Sequence, residues 1–322
     1  MPIDNSNMLK VIEDFPHQCK TALELPKGIS VSGKVDKIVV AGMGGSAVGG
    51  DLLKAYMHNS KIPVFVVRDY KVPGFVDENT LVFAVSYSGD TEETISAFED
   101  ATDKKAKIIA VTSGGSLGQM AKKSIKIPKG LQPRAALGYL FFPVLGVLAN
   151  SNIINADDSE IVEMLNVLSK THDFRSAGEK IANKIYGKAP VIYSSQFLSP
   201  VAYRWKTQFN ENSKVPAFFH SFSELNHNEI VGYQNMSKSS FISIFIRDKD
   251  DNERIKKRMD ITKEIISSKV DVEEVSTKGN GLLSRIFSGI YYGDFASYYL
   301  ALLNRVDPTP VNVIENLKKK LK

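Results

Sequence analysis

Residues 81–94, LVFAVSYSGDTEET, constrain the fold more than any other stretch of the chain. The run 81–85 has the length and β-branched content of a buried strand. It stops in Ser86, Tyr87, Ser88, Gly89, Asp90 and Thr91, and an amphipathic helical pattern starts at once with Glu92, Glu93, Thr94, Ile95 and Phe98. A strand that empties through hydroxyls and a glycine into a helix N-terminus builds an anion pocket. The helix offers unpaired N–H groups and the positive end of its dipole, and the hydroxyls donate further hydrogen bonds. Phosphate is the obvious guest. The bland alternative is a capped turn with Ser88 or Asp90 as N-cap, but one cap needs one hydroxyl, and Ser86, Ser88 and Thr91 supply three.

A second loop of the same kind lies in residues 37–50, KIVVAGMGGSAVGG. A strand over 37–41 runs into Gly42, Met43, Gly44, Gly45 and Ser46, and a helix follows. Glycines here permit positive φ and close approach of the backbone to a ligand. The spacing invites a dinucleotide-binding reading and departs from it in detail. The usual fingerprint is GxGxxG, with an acidic residue closing the next strand. Here the pattern is GxGGSxxGG, and the strand at 63–67 reaches Asp69 only after Arg68. The Ser86–Thr91 loop moves the balance to a sugar phosphate, because a nucleotide fold has no need of it.

Composition narrows the classes. With 322 residues and 43% hydrophobic content the chain can bury a sizeable core, and its length predicts two domains. The net charge of +5 is mild, and the terminal LKKKLK supplies much of it. No basic stripe interleaved with aromatics points to nucleic acid, whereas a modest positive field suits an anionic small substrate. The lone Cys19 excludes an intramolecular disulfide, and the five histidines form no zinc-type cluster with it, so no metal is expected. With no signal peptide in view, and no apolar run near the ~18 residues that span a membrane, the protein is expected to be soluble and cytoplasmic. Cys19 falls in a polar N-terminal helix pattern and reads as inert.

Strand and helix alternate through the first half: strands at 37–41, 63–67, 81–85, 107–112 and 124–127, helices at 46–58, 91–102, 116–122 and 134–149. That alternation predicts a doubly wound, flavodoxin-like parallel sheet. The polar stretch 151–158 closes the unit and leads into a helix running to about His172. The second half repeats the pattern more loosely, with strands at 190–193, 241–246 and 270–275 and helices from Pro200, at 251–268 and at 283–304. The segment VIYSSQFLSPVAYRWK parallels IVVAGMGGSAVGGDLLK in layout but has lost the glycines. The expected organisation is two α/β domains of one architecture, 1–152 and 153–322, with the phosphate loops in the first and a short basic helix at the C-terminus.

Three segments carry candidate chemistry. In PRAALGY, Arg134 stands at the border of a strongly apolar helix, where a guanidinium can stabilise a developing oxyanion or serve a structural ion pair. In RWKTQFNENSKVP, Glu211 closes a helix between Asn210 and Asn212. A carboxylate there faces the negative end of the dipole, which disfavours its charged form and suits a general base; an ordinary solvated glutamate is the alternative. In HSFSELNHNEIVGY, two histidines and two glutamates fall close together. Glu224 and His227 are spaced to share a helix face, yet no HExxH or second cluster supports a metal. A proton-shuttling His227 fits better, and His220, on the apolar side of Phe218 and Phe219, reads as structural.

GMGGSAVGG, SYSGDTEET, PRAALGY, FNENSKVPA and ELNHNEIVGY, in this order, resemble the bifunctional phosphoglucose/phosphomannose isomerases of the phosphoglucose isomerase superfamily, built from two sugar isomerase (SIS) domains. The resemblance runs from about residue 37 to the C-terminus. It implies that Ser46, after Gly45 in the first glycine loop, and Ser86, Ser88 and Thr91 hold a sugar phosphate. It implies that Glu211 is the catalytic base, that Arg134 stabilises an enediolate, and that His227 opens the sugar ring. A C-terminal lysine that assists ring opening is matched by Lys318, beside Lys319 and Lys320, and a threonine that makes room for the mannose epimer by Thr309. The resemblance further implies a homodimer in which His227 comes from the neighbouring subunit, and a reaction needing neither metal nor redox cofactor. A non-catalytic SIS-fold sugar-phosphate regulator would keep the hydroxyl loop and lose Glu211 or His227. A dinucleotide-dependent oxidoreductase is the other alternative.

Overall fold

A strand that hands the chain to a helix and receives it back at the same sheet edge pairs parallel with its neighbour. In the computed structural model, which describes residues 3–155, 157–236 and 240–321, every neighbouring pair of strands is parallel. It divides into two units, one formed by Asp14–Leu165 and the other by Met1–Glu13 with Asn166–Lys322.

This division departs from the expected 1–152 and 153–322 at both ends. The first helix, α1 (Met8–Glu13), belongs with the C-terminal half, where it buries Met8 and Ile12. There the Glu13 carboxylate accepts from Arg175 Nη1 at 3.1 Å, and its backbone carbonyl accepts from the Tyr291 hydroxyl at 3.4 Å. These are contacts between segments far apart in sequence, which no local pattern announces.

The unit Asp14–Leu165 contains α2 (Phe15–Glu24), β1 (Lys37–Ala41), α3 (Gly44–Tyr56), β2 (Val64–Val67), β3 (Thr80–Val85), α4 (Glu92–Asp103), β4 (Lys107–Thr112), α5 (Gly115–Met120), β5 (Ser124–Lys126) and α6 (Leu137–Asn150). Its sheet runs β2-β1-β3-β4-β5. All six residues of β3 are buried, the pattern of a central parallel strand covered on both faces. Val39 and Val82 pack with Ala97 and Ala101 of α4. Cys19 of α2 is fully buried rather than on a polar surface, and desolvation holds its thiol well above the ordinary range, so it is no nucleophile.

Helix α7 (Asp158–Leu168) crosses the division. The second unit continues with α8 (Thr171–Ile185), β6 (Ala189–Ser195), α9 (Ser199–Glu211), β7 (Phe218–Phe222), β8 (Phe241–Arg247), α10 (Glu253–Ile266), β9 (Asp271–Ser276), α11 (Leu282–Leu303) and α12 (Asn312–Leu321). Its sheet order is β7-β6-β8-β9. Strand β7 and helix α8 are additions to the sequence reading. β7 is an edge strand whose first residues stay in solvent, Phe218 by 53%, so FFHSF shows neither a buried run nor alternation. Helix α11 is buried along almost its whole length and packs on α8 and α9. Among the described residues, no helix is long and apolar enough to cross a membrane.

Candidate active site

In the sheet of the first unit β1 lies between β2 and β3, and the chain leaves β1 for one side and returns on the other. Loops at such a switch point diverge and leave a crevice at the carboxyl ends of the strands. Ala41 and Ala84 are register partners, so the glycine loop after β1 and the hydroxyl loop after β3 open side by side.

The glycine loop enters α3 through Met43, whose backbone is extended and whose side chain does not cap the helix. Ser46 sits buried in the first turn. Gly45 is required by close approach: a Cβ there would lie 2.9 Å from the Pro133 carbonyl oxygen and 3.1 Å from Arg134 Cα. The turn Pro133–Ala135 therefore rests directly on the start of α3, and Arg134 is held out of solvent, 3% exposed. Gln18 pins this turn. Its side-chain nitrogen donates to the Ala135 carbonyl at 2.9 Å and its oxygen accepts from Gly138 N–H at 2.7 Å. Nothing in the sequence near Gln18 signals that task.

The hydroxyl loop is braced from within. The Ser86 and Thr91 hydroxyls are 2.9 Å apart, and Ser86 Oγ accepts from Gly89 N–H at 3.1 Å. Ser88 Oγ, in solvent, accepts only a long contact from Asp90 N–H at 3.2 Å. The N-cap of α4 is Thr91, not Ser88 or Asp90, and its side chain does not cap the first turn. A third loop, missed in the sequence, supports the second. Gly89 has φ +81°, and a Cβ on it would meet the Gly114 carbonyl oxygen at 1.8 Å. Asp90 Oδ1 accepts from Ser116 N–H and its hydroxyl at 2.8 and 2.9 Å. The signal was TSGGS at residues 112–116, another hydroxyl-and-glycine run after a strand.

The three hydroxyls thus differ in what their loss does. Ser88→Ala is expected to raise KM for a phosphorylated sugar by one charge-assisted bond, about 1.5–3 kcal/mol, with an unchanged melting temperature. Ser86→Ala is expected to raise KM and lower the melting temperature together. Thermal unfolding beside steady-state kinetics separates the two; an unchanged KM in Ser88→Ala would remove that hydroxyl from the expected anion pocket.

The equivalent crevice in the other sheet, between β6 and β8, holds no such seat. The loop after β8 folds its own carboxylates inward. Asp248 Oδ2 accepts from Arg285 Nε at 3.0 Å and from Thr277 Oγ1 at 2.6 Å, and Asp251 Oδ2 accepts from Asp248 N–H at 3.0 Å. Burial pushes the Asp251 carboxyl up. An anion there would meet the carboxylates of Asp248 and Asp251.

Glu211 is the last residue of α9 and is half-buried. Its neighbours are structural. Asn210 Nδ2 donates to the Val215 carbonyl at 2.9 Å, Asn212 Nδ2 to Ser297 Oγ at 3.0 Å, and Ser213 Oγ to the Ser297 carbonyl at 2.6 Å. These bonds hold the end of α9 against α11 and leave Glu211 facing a cavity of about 690 Å³. Asp307 and Pro310 line the same cavity, and Lys214 donates to the carbonyls of both Glu211 and Pro308. Thr309 is half-buried in that loop, its N–H on Asp307 Oδ1 at 2.9 Å. Lys318 is exposed on α12, a helix with no buried residue; Val313 and Ile314 of that helix line the cavity, and Lys318 does not.

His227 is exposed at the end of the short 3-10 turn Glu224–His227 and is absent from that cavity. The topology explains why. Helix α9 leaves the carboxyl end of β6 and runs back for 13 residues, about 20 Å, so Glu211 lies at the amino-terminal edge of the sheet. The chain then climbs β7 and reaches His227 at the carboxyl edge. Within one chain the two lie at opposite ends of the sheet. Among the described residues, no group of three or more His, Cys, Asp or Glu is placed to hold a metal ion.

Residues 33–140 match the SIS domain family, and residues 174–321 match the bacterial phospho-glucose isomerase C-terminal SIS domain. The fold is that of the glucosamine-6-phosphate deaminase of Thermotoga maritima, with a TM-score of 0.71 over 94% of this chain and 97% of that one, at 17% identity. Sheet order and loops together define a protein of two SIS domains. The chain is 45% identical over 334 residues to the bifunctional phosphoglucose/phosphomannose isomerase of Caldicellulosiruptor bescii, covering 98% of each. It is 42% identical over 312 residues to the enzyme of that name in Thermoplasma acidophilum, covering 96% of this chain and 97% of the other. The chain belongs to the family of bifunctional phosphoglucose/phosphomannose isomerases.

Proposed function

We propose that this enzyme interconverts glucose 6-phosphate and mannose 6-phosphate with fructose 6-phosphate. The observation that carries the reading is the pair of uncapped, glycine- and hydroxyl-rich loops opening side by side at the switch point between β1 and β3, with a buried arginine resting on one of them. Such loops suit a phosphate monoester far from the reacting carbons. Binding energy gained there offsets the cost of orienting C1 and C2.

In this reading Ser46, Ser86, Ser88 and Thr91 hold the phosphate, and Gly45 allows Arg134 to approach. His227 and Lys318 move protons between O1 and O5 as the ring opens. Glu211 takes the proton from C2 and returns it at C1 through a cis-enediolate, and Arg134 stabilises the negative oxygen. Thr309, beside the cavity that Glu211 faces, makes room for either C2 epimer. The separation of Glu211 and His227 within one chain supports a homodimer in which His227 of one subunit serves Glu211 of the other. The enzyme of this reading works in the cytoplasm on a small-molecule sugar phosphate. A sugar-phosphate regulator on the same fold has no use for a carboxylate exposed to a cavity at the end of α9.

The test is a coupled assay started from fructose 6-phosphate and read for both aldose products. Both are expected, without added metal or nicotinamide cofactor. Saturable binding of fructose 6-phosphate with neither product would leave the regulator as the reading.

A further inference from the structure

Residues 224–235 lie over an apolar cluster in which Val191, Tyr193, Phe222 and Phe245 of the second sheet pack with Leu225 of the segment and Met259 of α10. A chain of polar groups runs through it. The Tyr193 hydroxyl donates to Glu229 Oε1 at 2.5 Å, lies 2.5 Å from the Tyr233 hydroxyl, and that in turn lies 2.9 Å from Ser243 Oγ. Each hydroxyl has one proton. With that of Tyr193 committed to the carboxylate, Tyr233 donates to Tyr193 and Ser243 to Tyr233, a one-way relay in which each bond strengthens the next. Burial and the neighbouring Glu229 hold the Tyr193 hydroxyl far above its ordinary range, so it stays a donor. At the other end His220 Nδ1 stands 3.2 Å from Glu229 Oε2, within ion-pair distance but not aligned as a hydrogen bond.

Burying such a chain in an apolar face is costly unless every member is paired, and apolar side chains of the same size would pack there without it. Its placement gives it a use. The segment 224–235 forms only two short 3-10 turns, with no α-helix or strand to hold it. Leu225, fully buried, anchors it before His227, and Glu229 anchors it after. Between the anchors, Asn226 Nδ2 donates to Thr262 Oγ1 at 2.8 Å, and Asn228 donates to Glu224 at 2.7 Å while accepting from Glu229 N–H at 2.6 Å. His227, between the anchors, is exposed to solvent.

We infer that Glu229, fixed from below by Tyr193, is a positioning residue for His227. It ties a segment without regular structure to the sheet so that the imidazole meets the sugar ring oxygen at a set place. The inference rests on the ring-opening role of His227 given above.

The test compares two substrates. Fructose 6-phosphate must be opened before it reacts. 5-Deoxyfructose 6-phosphate has no O5 and is always open. Glu229→Ala is expected to lower kcat on fructose 6-phosphate by about tenfold or more while KM and turnover of the open substrate stay within about twofold. Tyr193→Phe should follow it. Glu229→Gln, which still accepts from Tyr193, should restore most of the loss. An equal fall on both substrates would reduce the network to a purely structural role, and no fall on fructose 6-phosphate would remove it from catalysis; either overturns the inference. His227→Ala run alongside separates the two levels: if it too spares fructose 6-phosphate, the ring-opening reading itself has failed.

Discussion

Glu211→Gln is expected to fold normally and bind fructose 6-phosphate while isomerisation falls by about 10²–10⁴-fold, the contribution of a positioned general base. Gln keeps the shape and the hydrogen-bonding reach of the side chain but cannot take a proton from carbon. The bonds that hold the end of α9 come from Asn210, Asn212 and Ser213, and Lys214 uses the Glu211 backbone carbonyl, so the substitution leaves that scaffold intact. Exchange of solvent tritium into the substrate should vanish with the activity. Exchange near the normal rate would move the base elsewhere, to Glu224 or Glu229. The same variant tests the shared site. Mixed with His227→Ala under conditions that exchange subunits, about half the dimers carry one of each. Each mixed dimer regains one intact site of two, so activity should recover to roughly a quarter of normal. No recovery despite proven exchange would rule out a site shared between subunits.

The second large effect is on stability. Arg204 of α9 and Asp294 of α11 form a buried pair, with side chains 3% and 7% exposed. Asp294 accepts from Arg204 Nε and Nη2 at 3.1 and 2.8 Å and from Gln208 Nε2 at 2.8 Å. Asp294→Ala leaves a guanidinium and an amide buried with no acceptor, which costs about 3–5 kcal/mol. For a unit of the size that holds this pair, that lowers the melting temperature by roughly 6–20 °C. Replacing Arg204, Gln208 and Asp294 together by apolar residues of similar volume should recover much of the loss, because what destabilises is the unpaired charge and not the absence of the pair. A melting temperature within a degree or two of normal in Asp294→Ala would show that the site relaxes to admit water. Because α9 also carries Glu211, activity measured well below the transition should fall less than stability does.

The two parallel sheets were legible through their central strands, which are buried on both faces and read as continuous apolar runs, as at 81–85 and 241–246. Strand β7 was not, because an edge strand that begins with exposed Phe218 and Phe219 has no burial pattern to read. Helix α8 follows α7 with only a two-residue break, so the sequence merged its start into one helix ending near His172. Both loops at the β1/β3 crevice declared themselves because each is a short, local run of glycine and hydroxyl after a strand. Their supports did not. Gln18 reaches the Arg134 turn across 117 residues, and Ser116 reaches Asp90 across 26.

Local order along the chain determined which residues can do chemistry: a hydroxyl loop before a helix, a glutamate at a helix end, a histidine between two asparagines. Those depend on residue type and on neighbours within one turn or one strand. Tertiary structure alone decided which of them are held, and where. It put Arg134 out of solvent against Gly45, turned the second sheet's crevice into a nest of its own carboxylates, and set Glu211 and His227 at opposite edges of one sheet although only 16 positions separate them in the chain (227 − 211). The physical reason is direction: a helix returns the chain to the start of the sheet and a strand carries it forward again, so a short separation in sequence becomes the full length of the sheet in space.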